Sequence, residues 1–178
     1  ITGKTFASHC KEESIADVGI KVFVVNDMET IANEYLFYAL GAVGIEALSR
    51  GARAATMVEL NRRHLETLSE NLLVVLGPRR SEATVVAADA YCWIETYSGP
   101  GFSFVFADPP YAEGRERGYS RMLETLADRG VVLPGGIFAA EMTSAQHADE
   151  VPGWTLYRDR TYGKTRICLW RLERKAQT

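Results

Sequence analysis

The sequence predicts an α/β fold with a mostly parallel sheet that closes in an antiparallel hairpin. Short apolar segments rich in β-branched and aromatic residues alternate with helical segments from about residue 35 onward. That alternation is typical of a parallel sheet wound on both faces. The last two strand-like segments, Trp154–Arg160 and Arg166–Arg171, follow each other without a helix. We therefore expect them to form a hairpin through Tyr162-Gly163-Lys164.

The individual elements follow from local composition and from helix boundary signals. Gly51 follows the predicted helix Ile45–Arg50 as a C′ glycine, and Asn61 caps a helix that runs to Leu76 and stops at Gly77-Pro78. The other predicted strands are Lys21–Val25, Tyr35–Tyr38, Ala54–Val58, Ala83–Ala87, Phe102–Ala107 and Ile137–Ala140. The other predicted helical segments are Asp27–Ala32, Tyr91–Tyr97 and Ser120–Arg129, and a turn is predicted at Gly130–Gly136.

Length and composition favour a single soluble domain. The 178 residues include 47% hydrophobic and 24% charged residues, which suits one globular core. We treat residues 1–178 as one domain, in which residues 1–33 form an N-terminal segment whose structure the sequence does not specify. No apolar run reaches the roughly 20 residues of a membrane helix, and the first six residues lack the apolar core of a signal peptide.

Charge and cysteine content narrow the cellular context. The three cysteines are far apart and form neither a disulfide framework nor a metal-binding pair, which favours a reducing cytoplasm. The net charge of −3 argues against a protein that coats nucleic acid nonspecifically. Cys92 and Cys168 are expected to pack in the core. The scattered His9, His64 and His147 are expected at the surface, and no metal site is predicted.

The most informative stretch is Asp108-Pro109-Pro110-Tyr111, which directly follows the predicted strand Phe102–Ala107. Two prolines end a strand because proline donates no backbone hydrogen bond and has a fixed φ. A carboxylate, two stiff carbonyls and an aromatic ring are thus placed at the carboxyl end of a strand. Ligands bind at that edge of open α/β sheets. We therefore predict a functional site there.

Other ligand-type residues stand at the ends of the preceding strands. A glycine loop at Gly41 and Gly44 lets the backbone approach a ligand closely. Glu59 ends the next predicted strand and can accept both hydroxyls of a ribose, while Asp89 follows the third and can meet an adenine amino group. This order suits an adenosine-containing cofactor. The chain lacks a GxxxxGK[ST] phosphate loop, which argues against a nucleoside triphosphate.

Five stretches of the chain together resemble the RsmD family, over roughly residues 34–171. They are Gly41-Ala-Val-Gly-Ile-Glu-Ala-Leu-Ser-Arg-Gly-Ala52, Met57-Val-Glu-Leu-Asn61, Ser69-Glu-Asn-Leu72, Phe104-Val-Phe-Ala-Asp-Pro-Pro-Tyr111 and Tyr162-Gly-Lys-Thr-Arg-Ile-Cys-Leu-Trp-Arg171. The resemblance implies a Rossmann-like class I methyltransferase that uses S-adenosylmethionine. Its implied reaction is methylation of the exocyclic N2 of a guanine in small-subunit (16S) ribosomal RNA.

The resemblance also implies roles for individual residues. The loop Gly41–Gly44 would pass under the methionine part of the cofactor, Glu59 would hold the ribose hydroxyls, and Asp89 with Ala90 would meet the adenine. Asp108–Tyr111 would hold the target amine, with the Asp108 carboxylate and the Pro109 carbonyl accepting its two N–H bonds and Tyr111 stacking on the base. Such alignment can supply several kcal/mol of the barrier. The base would have to be splayed out of structured RNA.

Two further groups of residues are weaker candidates. Arg115 and Arg117, in the predicted loop after Asp108–Tyr111, are candidate phosphate contacts. Glu141 follows the strand Ile137–Ala140 and is a candidate for the edge of the pocket. The expected partners are 16S ribosomal RNA or a small-subunit assembly intermediate, bound by a cytoplasmic monomer without a metal or a membrane.

One departure from the family keeps other functions open. An ungapped alignment places Tyr35 where the family has Asp, and Ala39 where it has the first glycine of its loop. Either the chain is a divergent member, or residues 1–40 do not record the native first strand completely. The alternatives are an amino-methyltransferase on another target, such as adenine-N6, and a non-catalytic RNA-binding relative with a degraded cofactor loop.

Overall fold

A computed structural model describes residues 42–108 and 119–174, together with the backbone of residues 21–26. The described strands are β1 (Lys21–Asn26), β2 (Ala54–Glu59), β3 (Ala83–Ala87), β4 (Phe102–Asp108), β5 (Val132–Thr143), β6 (Trp154–Tyr162) and β7 (Thr165–Leu172). The described helices are α1 (Ala42–Ser49), α2 (Arg62–Leu76), α3 (Ala90–Thr96) and α4 (Tyr119–Asp128), with a 3₁₀ turn over Gly77–Glu82.

The described strands form one seven-stranded sheet in the order β3-β2-β1-β4-β5-β7-β6. β1 to β5 are parallel, and β7 runs antiparallel to both β5 and β6. The predicted fold class, a mostly parallel sheet with a closing antiparallel hairpin, is therefore confirmed. From β1 the chain builds outward to β3 on one side and then continues from β4 on the other. The topological switch point thus lies between β1 and β4, where open α/β sheets form their ligand crevice.

The interior strand β1, Lys21–Asn26, pairs with β2 on one side and β4 on the other. Its composition predicts a strand, and that prediction is confirmed. The other predictions for this part of the chain, a helical turn at Asp27–Ala32 and a strand at Tyr35–Tyr38, lie outside the described residues.

Helix boundaries follow the local signals in the sequence. The Asn61 side chain accepts a hydrogen bond from the Arg63 backbone N–H at 2.9 Å and so caps α2. After α1, Gly51 adopts a φ of +98°, a conformation that favours glycine. Both predicted boundaries are confirmed. They could be predicted because caps and terminal glycines act over only a few residues of the chain.

Two hydrophobic cores lie on the two faces of the sheet. One contains side chains of α3 and α4, with Trp154 and Trp170 among its largest members. The other contains side chains of α1 and α2, including Leu48, Leu68 and Leu72. Gly44 lets α1 pack closely on the sheet, because an added Cβ would lie only 3.0 Å from the Met57 sulfur.

Two local predictions are wrong. β5 begins at Val132, so most of the predicted turn Gly130–Gly136 belongs to the strand; a register shift between Phe102 and Phe104 on β4 accommodates the irregular stretch. Cys92 is exposed, because the short helix α3 buries Ala90 and Ile94 and turns its other face to solvent. Cys168 is fully buried, as predicted.

The described helices are all too short or too polar to cross a membrane.

Candidate active site

Three acidic residues of the predicted site come to the same edge of the sheet. Glu59 and Asp108 are the last residues of the parallel strands β2 and β4, and Asp89 lies two residues beyond β3. The register sets Glu59 beside Ala87 of β3 and Asp108 beside Asn26 of β1. Because parallel strands end at a common edge, residues far apart in sequence meet there. This edge contains the switch point between β1 and β4.

Glu59 is a buried carboxylate with only 1% of its surface exposed. Its Oε1 accepts a hydrogen bond from the Asn61 backbone N–H at 2.7 Å. Its Oε2 lies 3.5 Å from Nδ1 of His64, which is longer than a typical N–H···O hydrogen bond. The side chain is thus fixed at the end of β2 with its second oxygen directed at the first turn of α2.

The prediction that His64 lies at the surface is wrong, since only 6% of it is exposed. Burial lowers the pKa of His64, so the ring that faces Glu59 is neutral near pH 7. The sequence did contain a signal for this position. His64, Leu68, Asn71 and Leu72 are the buried residues of one helical face, at the i, i+4, i+7, i+8 spacing.

Asp89 caps the helix that follows it. Its Oδ1 accepts a hydrogen bond from the Cys92 backbone N–H at 2.9 Å, and Ala90 is the buried first residue of α3. This capping role would by itself explain an aspartate at position 89, even if no ligand bound there. A carboxylate offers about four acceptor positions, however, so capping leaves room for a further hydrogen bond.

Asp108, the last residue of β4, stands beside Glu141, which lies two residues before the end of β5 and not after the strand as predicted. The preceding residues, Ala107 and Ala140, are register partners, so the two carboxylates extend to the same side of the sheet. Burial, and then the charge of Glu141, raises the pKa of Asp108 to about 7. Burial also raises the pKa of Glu141. The pair can therefore hold a proton near neutral pH.

Tyr119 ties the start of α4 to this carboxylate pair. Its hydroxyl donates a hydrogen bond of 2.6 Å to the backbone carbonyl of Glu141. Burial, followed by the charge of Asp108, raises the pKa of the Tyr119 hydroxyl well above its usual range. Tyr119 was not among the predicted site residues, because a tyrosine at a helix start carries no local signal of a contact 22 residues away.

The remaining predicted site residues divide into two groups. Gly44 lies within α1 and not in a loop, so the predicted glycine loop is wrong at this residue; Gly44 is buried, and its observed contact is the packing of α1 against Met57. The structure does not describe the following predicted residues: Gly41, Pro109, Pro110, Tyr111, Arg115 and Arg117. Within residues 21–26, 42–108 and 119–174, no group of three or more His, Cys, Asp or Glu side chains could hold a metal ion.

Comparisons with known proteins point to one family. Residues 28–171 match the family described as Conserved hypothetical protein 95. The chain is 29% identical over 143 residues to "Ribosomal RNA small subunit methyltransferase D" of Escherichia coli K12, covering 80% of this chain and 69% of the relative. The Haemophilus influenzae protein of that name is 26% identical over 128 residues, covering 71% of this chain and 64% of the relative.

A solved structure shares the fold. It is a conserved hypothetical protein from Streptococcus pyogenes, with a TM-score of 0.76 and 23% sequence identity. The match covers 97% of this chain and 96% of that one, so it extends across the whole sheet.

Proposed function

This chain belongs to the Conserved hypothetical protein 95 family, the RsmD family that its motifs resemble, and from that premise we propose that it is a ribosomal RNA methyltransferase. The proposed reaction moves a methyl group from S-adenosylmethionine to the exocyclic N2 of a guanine in small-subunit RNA. The observation that carries the proposal is Asp108, half-buried beside Glu141 at the sheet's switch point. The names of the relatives support the substrate class.

The described residues fit the adenosine part of the proposed cofactor. A ribose needs acceptors for its two hydroxyls, and Glu59 holds a carboxylate at the end of β2, next to the crevice strand β1. An adenine amino group needs a further acceptor, which Asp89 provides beyond β3. When bound, S-adenosylmethionine supplies an electrophilic methyl group on a sulfonium centre. Gly41 and the first turn of α1, which contains Gly44, are proposed to support its methionine part.

The target amine is proposed to bind at Asp108–Tyr111. The amino group of guanine has its lone pair delocalised into the ring. An ionised Asp108 carboxylate and the Pro109 carbonyl would accept hydrogen bonds from its two N–H groups and so direct the lone pair at the methyl group. Tyr111, next to Pro110, would stack on the base. No strong general base is needed, since the product can lose its proton after transfer.

The first experiment measures cofactor binding and product identity. We expect purified protein to bind S-adenosylhomocysteine in isothermal titration. We also expect it to form N2-methylguanosine in small-subunit RNA, detected by nucleoside mass spectrometry, and no methylated base in DNA. N6-methyladenosine as the product would replace the guanine proposal by the adenine alternative. Folded protein without any affinity for S-adenosylhomocysteine would instead favour a non-catalytic RNA-binding relative.

The second experiment tests Asp108 directly. We expect Asp108→Ala to lower kcat/KM for methyl transfer by at least about 100-fold, because the amine loses its main acceptor. The affinity for S-adenosylhomocysteine should stay nearly unchanged. Asp128→Ala, which removes an exposed aspartate at the end of α4, serves as the control and should retain full activity. Retained turnover in Asp108→Ala would remove Asp108 from its proposed role.

A further inference from the structure

We propose that one face of the β6–β7 hairpin binds single-stranded RNA that leads to the active site, an inference that rests on the proposed function. The surface consists of Arg158, Arg160 and Arg171 with the ring of Tyr157, and is called the arginine strip below. Four observations carry the proposal: the charge of the hairpin, the register of its strands, the placement of Tyr157, and the distance to Asp108.

The hairpin concentrates positive charge in an acidic protein. Residues 154–174 contain six basic and two acidic residues, a net charge of +4, whereas the whole chain carries −3. The rest of the chain therefore carries −7. A segregation of this size is typical of a surface that meets a polyanion. The basic residues of the hairpin are Arg158, Arg160, Lys164, Arg166, Arg171 and Arg174.

The two acidic residues of the hairpin are engaged in contacts of their own. Arg166 binds Asp159 through two hydrogen bonds of 2.8 and 2.5 Å, and this contact lowers the pKa of Asp159. Glu173 accepts a hydrogen bond from the Thr155 hydroxyl at 3.0 Å. The Asp159 carboxylate is thus compensated by an arginine outside the strip.

Strand register places the three strip arginines on one face. Alternate residues of a strand share a face, and directly paired residues of neighbouring strands do too. Asp159 lies between Arg158 and Arg160 and therefore points to the opposite face. Arg160 and Arg171 are exposed, and Arg158 is half-exposed. The cross-strand pairs that define this face are Thr155 with Arg171, Arg158 with Leu169, and Arg160 with Ile167.

Tyr157 joins this face through an irregularity in β6. The register shifts between Leu156 and Arg158, so Tyr157 is the extra residue of a bulge. Its ring centre lies 4.8 Å from the guanidinium carbon of Arg171, in a cation–π contact. With 39% of its surface exposed, the ring remains accessible. An exposed aromatic ring among arginines is the arrangement on which single-stranded nucleic acids stack.

The strip begins close to the proposed catalytic carboxylate. Asp108 stands beside Glu141, Glu141 pairs with Ile167, and Ile167 pairs with Arg160. These four residues form a row across β4, β5, β7 and β6, on one face of the sheet. Three strand spacings amount to about 14 Å. A single strand whose target base reaches Asp108 could therefore pass over the strip within a few nucleotides.

The chemistry of the strip favours single-stranded RNA over other polyanions. Arginines bind phosphates and release counterions from the nucleic acid, and the resulting affinity falls as the salt concentration rises because that release becomes less favourable. A tyrosine ring adds stacking that tolerates any base. An acidic protein partner has no bases to stack on the tyrosine ring. The bases of a double helix are already paired and stacked, so they could not contact the ring either.

The experiment compares two triple variants of equal charge. Arg158→Gln/Arg160→Gln/Arg171→Gln removes the strip, and Arg62→Gln/Arg63→Gln/Arg80→Gln removes three exposed arginines on and just after α2. Binding of a fluorescent oligouridylate is measured by anisotropy at several salt concentrations. We expect the strip variant to bind about 10- to 100-fold more weakly. When log K is plotted against log salt concentration, the magnitude of its slope should be smaller by about 2. The control should change by less than about twofold.

A second pair of variants tests the stacking. Tyr157→Ala should weaken oligouridylate binding roughly tenfold, whereas Tyr157→Phe should retain it, because the ring and not the hydroxyl stacks. Unchanged circular dichroism and melting temperature show that each variant is folded.

Several results would overturn the inference. They are equal losses in both triple variants, equal affinity for double-stranded RNA, and competition by polyglutamate as effective as that by oligouridylate. Titration with S-adenosylhomocysteine separates this inference from the proposed function. If RNA binding depends on the strip but S-adenosylhomocysteine does not bind, methyl transfer is refuted and the RNA-binding surface is supported. Normal cofactor binding and methylation with an unchanged strip variant would refute the strip alone.

Discussion

At the scale of single residues, Asp108 shows how the fold controls the ionisation of a site group. An exposed aspartate is ionised at neutral pH, but burial and the neighbouring Glu141 raise the pKa of Asp108 to about 7. The proposed role requires the ionised carboxylate, which accepts hydrogen bonds from the N–H groups of the target amine. The reaction should therefore depend on pH in a range where an ordinary aspartate would not respond.

The pH dependence of methyl transfer gives a prediction about Glu141. In the wild type, kcat/KM should rise with pH through about 7 as Asp108 loses its proton. In Glu141→Gln the like charge is gone, so the pKa of Asp108 falls and the rise moves to lower pH. Glu124→Gln, an exposed substitution on α4, is the control. Superimposable profiles for Glu141→Gln and wild type would contradict the coupling.

Glu59 and His64 show how a residue can be misjudged from sequence. The strand-end position of Glu59 was predictable from the apolar run before it. His64, five residues later, was predicted at the surface because it stands in a polar segment of the chain. The first turn of α2 nevertheless directs His64 inward, beside the end of β2. The helical spacing from His64 to Leu68 and Leu72 carried that information.

At the scale of elements, local signals determine where helices begin and end, and α2 is the clearest example. Asn61 caps the helix with its side chain and also donates its own backbone N–H to Glu59. One residue therefore links the start of α2 to the end of β2. β5 shows the opposite case, because Pro134 and Gly135 indicate a turn, whereas the strand continues through them as an irregular stretch between its two pairings with β4, at Val132 and from Ile137 onward.

The cap of α2 can be tested by substitution. Asn61→Ala should lower the free energy of unfolding by about 1 kcal/mol, because the Arg63 N–H loses its side-chain acceptor. Asn61→Ser keeps an acceptor oxygen and should be close to wild type. Chemical denaturation measures both variants. Equal losses in the two would show that capping is not the cause.

At the scale of the whole molecule, one sheet separates two cores that we propose belong to a single domain. The core on the α3 and α4 side contains Trp154 and Trp170, and Trp93 packs against it. These are the three tryptophans of the chain. Tryptophan fluorescence therefore reports on one face of the sheet, which makes the cooperativity of the two cores measurable.

Leu72 is buried in the core on the other face of the sheet from the tryptophans. Leu72→Ala should lower the free energy of unfolding by about 3 kcal/mol through the cavity it leaves. If the chain unfolds as one unit, the tryptophan transition and the far-UV circular dichroism transition shift together. Leu73→Ala, at a neighbouring exposed leucine, should change stability by less than about 0.5 kcal/mol. A tryptophan transition that Leu72→Ala leaves unmoved would indicate two independent units.

The sequence by itself determined the features that depend on a few consecutive residues. These are the strands before Glu59 and Asp108, the caps at Asn61 and Gly51, and the closing hairpin. It also predicted that Glu59, Asp89 and Asp108 would share an edge, because parallel strands all end on the same side. The contacts proposed for Pro109–Tyr111 remain predictions.

Only the tertiary structure decided which groups meet across the sheet. Glu141 stands beside Asp108, 33 positions away in the sequence. Tyr119 bonds the Glu141 carbonyl, and Arg160 lies in the same row through the register of β7. Strand order and register set these distances, and both result from packing along the whole chain. No local pattern of residues specifies them, which is why the neighbours of Asp108 emerged only from the fold.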